Sequence, residues 1–376
     1  MQKNKGKHIG NRYRIVKQIG EGLLTEVYQV EDERSNQTYA MKVIAEQGNK
    51  NKKQLINLHL QTFEMEFKRE ASFLRNMNHP HIIKMVHSKM NEEDRPKSGE
   101  SGKSNKSNSS GSGEENEQNS YQRDQQGFDK YIILELAENG DLFDFVVSTQ
   151  EGMGEELSRF YFQQILSAVE YLHLDQKIIH RDLKLENILV DGMFNLKICD
   201  LTLAKTIQEG SVVGVFYSQV GTERYMAPEI LLGQPYKGNT TDIFALGVIL
   251  FIMVTGVMPF YQKATKSDPL YSLIYKNDEK GYWEALLKTY QNQQNFNANL
   301  SDEFKKFVWQ FFSFHYFERI TLDKIKGNKW FQQEIILSRE TVLKEMTRRK
   351  QNLDDKYKNN PTIAQQRIKN TRMTEL

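Results

Sequence analysis

Cysteine occurs once in these 376 residues, as Cys199. A single thiol excludes an internal disulfide, fits a reducing, intracellular and cytoplasmic setting, and leaves no Cys-rich metal site. No apolar run approaches the roughly 20 residues of a membrane-spanning helix. The basic start, Met-Gln-Lys-Asn-Lys-Gly, is not followed by the apolar stretch of a secretory signal. No glycine occupies the second position, so a myristoyl group has no acceptor. The formal net charge of +2 gives no electrostatic case for a nucleic-acid partner. There is no calcium loop of the Asp-x-Asp-x-Asp-Gly type and no internal repeat.

What is present is the balance of a globular chain: 38% hydrophobic and 27% charged residues. The length suits one large domain or two modest ones. Residues 13–46 read as three strands, with Tyr13, Ile15 and Val16 before a glycine-containing turn, Val27, Tyr28 and Val30 after it, and an apolar run over 39–44. Residues 54–78 carry Phe63, Phe67, Phe73, Leu74 and Met77 at roughly helical spacing. Residues 91–127 are Ser, Asn, Gly, Glu, Gln and Lys with almost nothing apolar, so they cannot offset their ordering entropy. They read as a disordered insertion in a surface loop, which costs little because closure entropy grows slowly with length. A strand resumes at 131–136. From 155 onward the pattern is mostly helical, including 158–174. The nearly continuous apolar stretch 243–258 is too short for a membrane span and reads as a buried core helix. The domain closes near Trp330-Phe331, and a charged tail follows over 332–376.

Three features carry chemistry. In Gly20-Glu21-Gly22-Leu23-Leu24-Thr25-Glu26-Val27, glycines in a strand turn let backbone N–H groups approach phosphates, although a plain hairpin reads the same way. Lys42 in Tyr-Ala-Met-Lys supplies a point charge for phosphate, with Glu70 on the following helix as its natural partner. The string His180-Arg181-Asp182-Leu183-Lys184-Leu185-Glu186-Asn187 sets an acid, a base and an amide within six residues between apolar runs, and Asp200 follows thirteen residues after Asn187. That is not the pattern of a solvated face. Phosphoryl transfer asks a protein to hold phosphates, place metal ions and aim a hydroxyl, and these residue types serve those tasks.

Together with Ala227-Pro228-Glu229, these strings resemble the protein kinases, in family order and over about residues 13–331. The resemblance implies an α+β, bilobal fold. It divides into a small β-rich lobe at 13–136, containing the insertion, and a larger mostly helical lobe at 137–331, with 1–12 as an N-terminal extension. It implies ATP and Mg²⁺ as cofactors. Asp182 would orient the substrate hydroxyl and accept its proton, Lys184 would neutralise charge on the moving phosphoryl group, and Thr222 would bridge the two. Asn187 and Asp200 would be the metal ligands. Ile19, Gly20, Gly22, Val27, Ala40, Lys42, Glu70, Leu134, Glu135, Ala137, Asp141, Glu186 and Leu189 would line the nucleotide and adjoining substrate site. Among them Val27, Ala40 and Leu189 sandwich adenine, Leu134 guards the rear of the pocket, Glu135 and Ala137 offer backbone groups, and Asp141 reaches ribose or a basic substrate residue. Asp242, at the head of the buried helix, would bond the catalytic-loop backbone, and Arg319 would pair with Glu229. Leu74, Met85, His180 and Leu201 match the stack that links the lobes of an active kinase.

Lys184 and the string Gly221-Thr222-Glu223-Arg224-Tyr225 resemble serine/threonine kinases, and Glu186 with Gly-Asp-Leu-Phe at 140–143 resembles the calcium/calmodulin-dependent and cyclic-nucleotide-dependent branches, the former foremost. Asp141 and Glu186 imply a weak preference for basic residues on the amino side of the target, while Ile252 stands where basic-directed relatives often carry an acid. Arg181 implies control by phosphate on the activation segment, with Ser218 the foremost acceptor of an upstream kinase, ahead of Ser211, Tyr217 and Thr222. Its phosphate would pair with Arg181 and Lys205. The tail at 338–358 reads as a helix with a thin apolar stripe of Val342, Leu343, Met346 and Leu353. A solvated helix is the expectation, and a calmodulin-binding helix the alternative.

Two departures stand out. Thr25 replaces a third loop glycine. The metal tripeptide is Asp200-Leu201-Thr202 where the family has Asp-Phe-Gly, and a β-branched residue reaches φ > 0 only at a cost. Thr202 would instead donate its hydroxyl to Asp200. These departures motivate a rival reading as a pseudokinase or scaffold. A small-molecule kinase is the other rival, opposed by the Ala-Pro-Glu and Gly-Thr-x-x-Tyr strings. Cys199, next to Asp200, reads as a small buried hydrophobe, with a thiol accessible to electrophiles as the alternative.

Overall fold

The computed structural model describes residues 4–9, 12–22, 24–44, 50–90, 128, 130–147, 152–209, 214–292, 296 and 298–360, with backbone alone for 50–61. The insertion expected at 91–127, Ser211 and the end of the tail lie outside the described residues. The chain forms two compact units, one of residues 1–75 and 84–136, the other of 76–83 and 137–376.

Among the described residues, the first unit holds a six-stranded antiparallel sheet and one long helix. The strands are β1 (His8–Ile9), β2 (Tyr13–Glu21), β3 (Thr25–Asp32), β4 (Gln37–Ile44), β5 (Met85–Lys89) and β6 (Tyr131–Glu135), in the order β1-β2-β3-β4-β6-β5. Period-two alternation divides the side chains between two faces. Ile9, Tyr13, Ile15, Tyr28, Val30, Met41, Val43, Phe128, Tyr131 and Ile133 form one core cluster. The other face packs Ile132, with Ile44, Met85 and Leu134, against Phe67 and Ala71 of the helix α1 (Lys50–Arg75). That helix begins and ends a few residues earlier than the sequence expectation of 54–78. The short β1 falls in the expected extension 1–12, where no strand is legible because only two residues pair.

The second unit is mostly helical. Its elements near the site are α2 (Leu142–Val147), α3 (Gly154–Glu170) with a single π-helical turn at Tyr171–Asp175, and β7 (Ile178–Ile179). The hairpin β8 (Ile188–Val190) with β9 (Leu196–Ile198) follows, then β10 (Lys205–Thr206), β11 (Val215–Phe216), α4 (Pro228–Leu231), β12 (Tyr236–Lys237) and α5 (Gly238–Thr255). Helix α5 is apolar and long enough to cross a membrane by length and composition, but it is 89% buried inside the fold, so it is the core helix that 243–258 suggested. It begins five residues earlier than expected, which places Asp242 one turn inside the helix and not at its head. Around it pack Phe260, Tyr271, Phe311 and Phe312 from α6 (Tyr271–Tyr275), α7 (Glu279–Tyr290), α8 (Asp302–Trp309) and their connections. Two short helices, α9 (Leu322–Lys326) and α10 (Lys329–Gln332), lead to α11 (Arg339–Asn359).

Helix α11 corrects the solvated-helix expectation. Ser338 caps it by accepting the Thr341 N–H at 3.1 Å. Val342, Met346, Arg349 and Leu353 lie on one stripe, at steps of four, three and four residues, and all four are buried. A guanidinium in the stripe with partners of its own is what the apolar pattern alone does not reveal.

Candidate active site

The first unit supplies a strand face with one buried ion pair. Gly20 lies across from Val27, Val27 from Lys42, Lys42 from Ile132, and Ala40 from Leu134. Antiparallel register therefore brings Gly20, Val27, Ala40, Lys42 and Leu134 to the same face. The turn between β2 and β3 closes through the Gly22 N–H on the Thr25 carbonyl, at 2.9 Å. Ile19 is exposed at the edge. The Lys42 ammonium donates to both oxygens of Glu70 on α1, at 3.0 and 2.8 Å, with side-chain exposures of 10% and 1%. Two charges so far from water need each other, and neither is replaceable alone. Glu135 donates its N–H to the Lys84 carbonyl at 2.9 Å, and its carboxylate accepts the Lys84 N–H at 2.8 Å.

The second unit supplies the acid, base and amide. Asp182 follows β7 on an irregular loop that depends on Asp242 of α5. The two Asp242 oxygens accept the N–H groups of Arg181 and His180, both at 2.9 Å, and His173 Nε2 lies 2.8 Å from Oδ2. Burial alone would raise the Asp242 carboxyl, but donation from His173, with His180 and Arg181 close by, outweighs it and holds the group below its ordinary value. The anchor is needed because Arg181 sits at φ 69°, in the left-handed region. His173 was not singled out from the sequence. Its signal is a polar residue on the buried side of an apolar helix.

Asp182 divides its oxygens between neighbours. Oδ1 accepts the N–H and the hydroxyl of Thr222, each at 2.9 Å, and Oδ2 faces the Lys184 ammonium at 2.9 Å. The same ammonium donates to the Thr222 hydroxyl at 2.9 Å, so that hydroxyl joins acid to base. Gly221 makes this approach possible: at φ 113°, a Cβ would stand 2.7 Å from the Arg181 carbonyl oxygen. Burial would depress Lys184, but Asp182, then Glu186 and Asp200, outweigh it and raise the ammonium above its ordinary value. Lys184 is therefore a fixed positive charge at neutral pH.

Asn187 spends its amide N–H₂ on the Asp182 carbonyl at 2.8 Å and on Asp182 Oδ2 at 3.1 Å, which turns its oxygen outward as an acceptor. The β8–β9 hairpin brings Asp200 to the same end, since the Cys199 N–H donates to the Asn187 carbonyl at 2.9 Å. The Cys199 carbonyl faces His180 Nε2 at 3.1 Å, and Cys199 is half-buried. Among the described residues, no group of three or more His, Cys, Asp or Glu side chains could hold a metal ion. Asn187 and Asp200 offer instead two oxygen donors. That set fits Mg²⁺, which keeps most of its waters and shares the phosphates of a nucleotide.

Asp200, not residue 202, takes the left-handed backbone, at φ 61°. The Thr202 hydroxyl donates to Asp200 Oδ1 at 2.6 Å, and the Thr202 N–H reaches the same oxygen at 3.3 Å. The β-branched residue thus avoids the conformation it tolerates poorly and fixes the carboxylate beside it. Asp141 and Leu189 pair as an isolated β-bridge, and Ala137, half-buried, precedes them. Glu186 accepts from the Tyr225 hydroxyl at 3.2 Å. Burial pushes the Glu186 carboxyl up, with a further push from Asp141 and a partial offset from Lys184. Glu229 receives Arg319 in a bidentate pair at 2.8 and 3.0 Å, with the guanidinium 5.1 Å from the Phe244 ring centre.

The protein kinase domain family matches residues 13–331, and the chain belongs to that family. Members use ATP with Mg²⁺. The chain is 34% identical over 278 residues to the carbon catabolite-derepressing protein kinase of Saccharomyces cerevisiae, covering 74% of this chain and 35% of that protein. It is 28% identical to CBL-interacting protein kinase 11 of Oryza sativa subsp. japonica, covering 86% and 52%. It is 31% identical to NUAK family SNF1-like kinase 2 of Pongo abelii, covering 67% and 32%. The chain thus spans about a third to a half of the curated relatives it matches.

Proposed function

We propose that this chain transfers the γ-phosphate of ATP to serine or threonine hydroxyls of proteins, through a kinase domain at 13–331. The observation that carries the reading is the closed set of Asp182, Thr222, Lys184 and Asn187. Asp182 accepts the hydroxyl proton while its orientation is fixed from both sides. Lys184 stabilises charge on the transferring group. Lys42, held by Glu70, takes the α/β-phosphates, and Asn187 and Asp200 take the metal ions. Val27, Ala40 and Leu189 flank adenine, with Ile19, Gly20, Gly22, Leu134, Glu135 and Ala137 around it. When bound, Mg²⁺ neutralises the phosphate oxygens.

Ser218 is exposed, and its hydroxyl accepts from Arg181 at 2.9 Å. A phosphate placed there by an upstream kinase would meet Arg181 and, on ordering the segment, Lys205. Asp141 and Glu186 support a weak preference for basic residues before the target. A calmodulin-like partner at the tail would require Val342, Met346 and Leu353 to leave the fold, so the buried stripe disfavours it. The single thiol supports an intracellular setting.

The test is transfer from labelled ATP with Mg²⁺ to a serine/threonine peptide library, alongside Asp182→Asn. Transfer by the wild type, and a loss of at least about 10³-fold in the variant, is the expected result. Nucleotide binding without transfer above the variant would establish the pseudokinase instead.

A further inference from the structure

The tail helix holds the segment that carries Asp141. Helix α2 has six residues, and a helix this short has little stability of its own. Its position therefore depends on tertiary anchors. On one side it is stitched to β8: the Val190 N–H donates to the Gly140 carbonyl at 2.8 Å, and the Asn139 N–H to the Val190 carbonyl at 3.0 Å. Asp141 Oδ1 accepts the Asp144 N–H at 3.1 Å and starts the helix. On the other side, α11 holds the middle of α2 and the chain beyond it at Gly152. The Tyr357 hydroxyl donates to Asp144 Oδ1 at 2.9 Å. The Arg349 guanidinium donates to the Phe145 carbonyl at 3.0 Å and to the Gly152 carbonyl at 2.7 Å. Its Nε donates to Glu345 at 2.7 Å, which balances the buried charge.

The route from the domain to α11 is fixed as well. Glu156 accepts the N–H groups of Ile336 and Leu337 at 2.9 and 3.1 Å, and Arg339 donates to the Met193 carbonyl between β8 and β9. The tail is therefore fastened at its start, middle and end to elements of the same unit.

We propose that α11 is a strap that keeps Asp141 in its binding position, with Arg349 and Tyr357 as positioning residues for nucleotide affinity. Neither residue touches the reacting atoms, so each acts through α2. Of the two readings of Asp141, ribose or a basic substrate residue, the proposal rests on the ribose contact. If α2 leaves its place, the fraction of binding-competent molecules falls and the apparent dissociation constant rises in proportion.

The experiment uses the full chain. ATP affinity is measured by titration without turnover, KM and kcat by peptide phosphorylation, and hydrogen exchange is followed over residues 142–147. Arg349→Ala is expected to raise Kd and KM for ATP about tenfold, and Tyr357→Phe about threefold, with kcat changed less than about twofold. Arg349→Lys, which can serve one carbonyl, is expected to fall between wild type and Arg349→Ala. Exchange over 142–147 should quicken in both main variants. Nucleotide affinity within about twofold of wild type in both would overturn the proposal, as would a rise in kcat/KM, the mark of an inhibitory tail. If Arg349→Ala does not fold, Tyr357→Phe, which removes one oxygen, decides by the same readings. A wild type that binds ATP yet transfers nothing sinks the transferase reading and leaves this one to the affinity data.

Discussion

Thr202 and Glu186 are the two residues near Asp182 whose surroundings make the sharpest predictions. The Thr202 hydroxyl holds the Asp200 carboxylate at 2.6 Å. Thr202→Gly removes that bond and restores backbone freedom, so the carboxylate loses about 1 kcal/mol of preference for one orientation. The Mg²⁺ concentration needed for half-maximal nucleotide binding should rise about fivefold, and Thr202→Ser should stay near wild type. Glu186 has its carboxyl raised by burial, so it takes up a proton at higher pH than an ordinary glutamate. A preference for basic peptides needs the ionised form. It is therefore present above the folded-state pKa and lost as pH falls through it. The sign for stability is the opposite: ionised Glu186 is a cost to the fold at neutral pH, relieved by protonation. Glu186→Gln should flatten the pH profile of basic-peptide selectivity and raise the neutral-pH melting temperature slightly.

Among the elements, α5 leaves least room for change. A Cβ on Gly247 would stand 2.3 Å from the Phe311 Cβ, inside a core with no slack. Gly247→Ala is expected to destabilise the protein by about 1–3 kcal/mol, read by thermal or urea unfolding, with activity per folded molecule retained. Elements of this kind were legible in the sequence because a long apolar run must be buried, and its 16 residues fell short of the roughly 20 of a membrane span. The tail helix was legible as a helix and not as a docked one. Its stripe has Arg349 where an apolar residue would complete the pattern, and the carbonyls that make burial favourable belong to residues some 200 positions away. The π-turn at Tyr171–Asp175 was legible only as a continuation of the helix read over 158–174, and the two-residue β1 is too short for an alternation to repeat.

At the level of the whole molecule, the chemistry is split between two sets of residues, each assembled inside its own unit. Lys42 and Glu70 close one set, and Asp182, Lys184, Asn187 and Thr222 the other. The split explains why short strings sufficed to find these residues, while their hydrogen bonds, apart from those that the resemblance implied, did not follow from the strings. It also separates stability from activity. Lys42→Met leaves Glu70 buried without its cation and should cost the first unit about 3–5 kcal/mol, besides abolishing transfer. Adding Glu70→Leu should recover most of the stability and none of the transfer. Differential unfolding of the single and double variants, beside a transfer assay, checks both halves of that statement.

The lone thiol gives a way to watch these events. Cys199 is joined through its backbone to Asn187 and His180, is followed directly by Asp200, and has no competitor elsewhere in the sequence. A thiol-reactive fluorophore therefore has one possible address, directly beside Asp200. The rate at which wild-type protein takes up the dye becomes a clock for local opening, and slower uptake with nucleotide and Mg²⁺ present reads their arrival without any engineered cysteine.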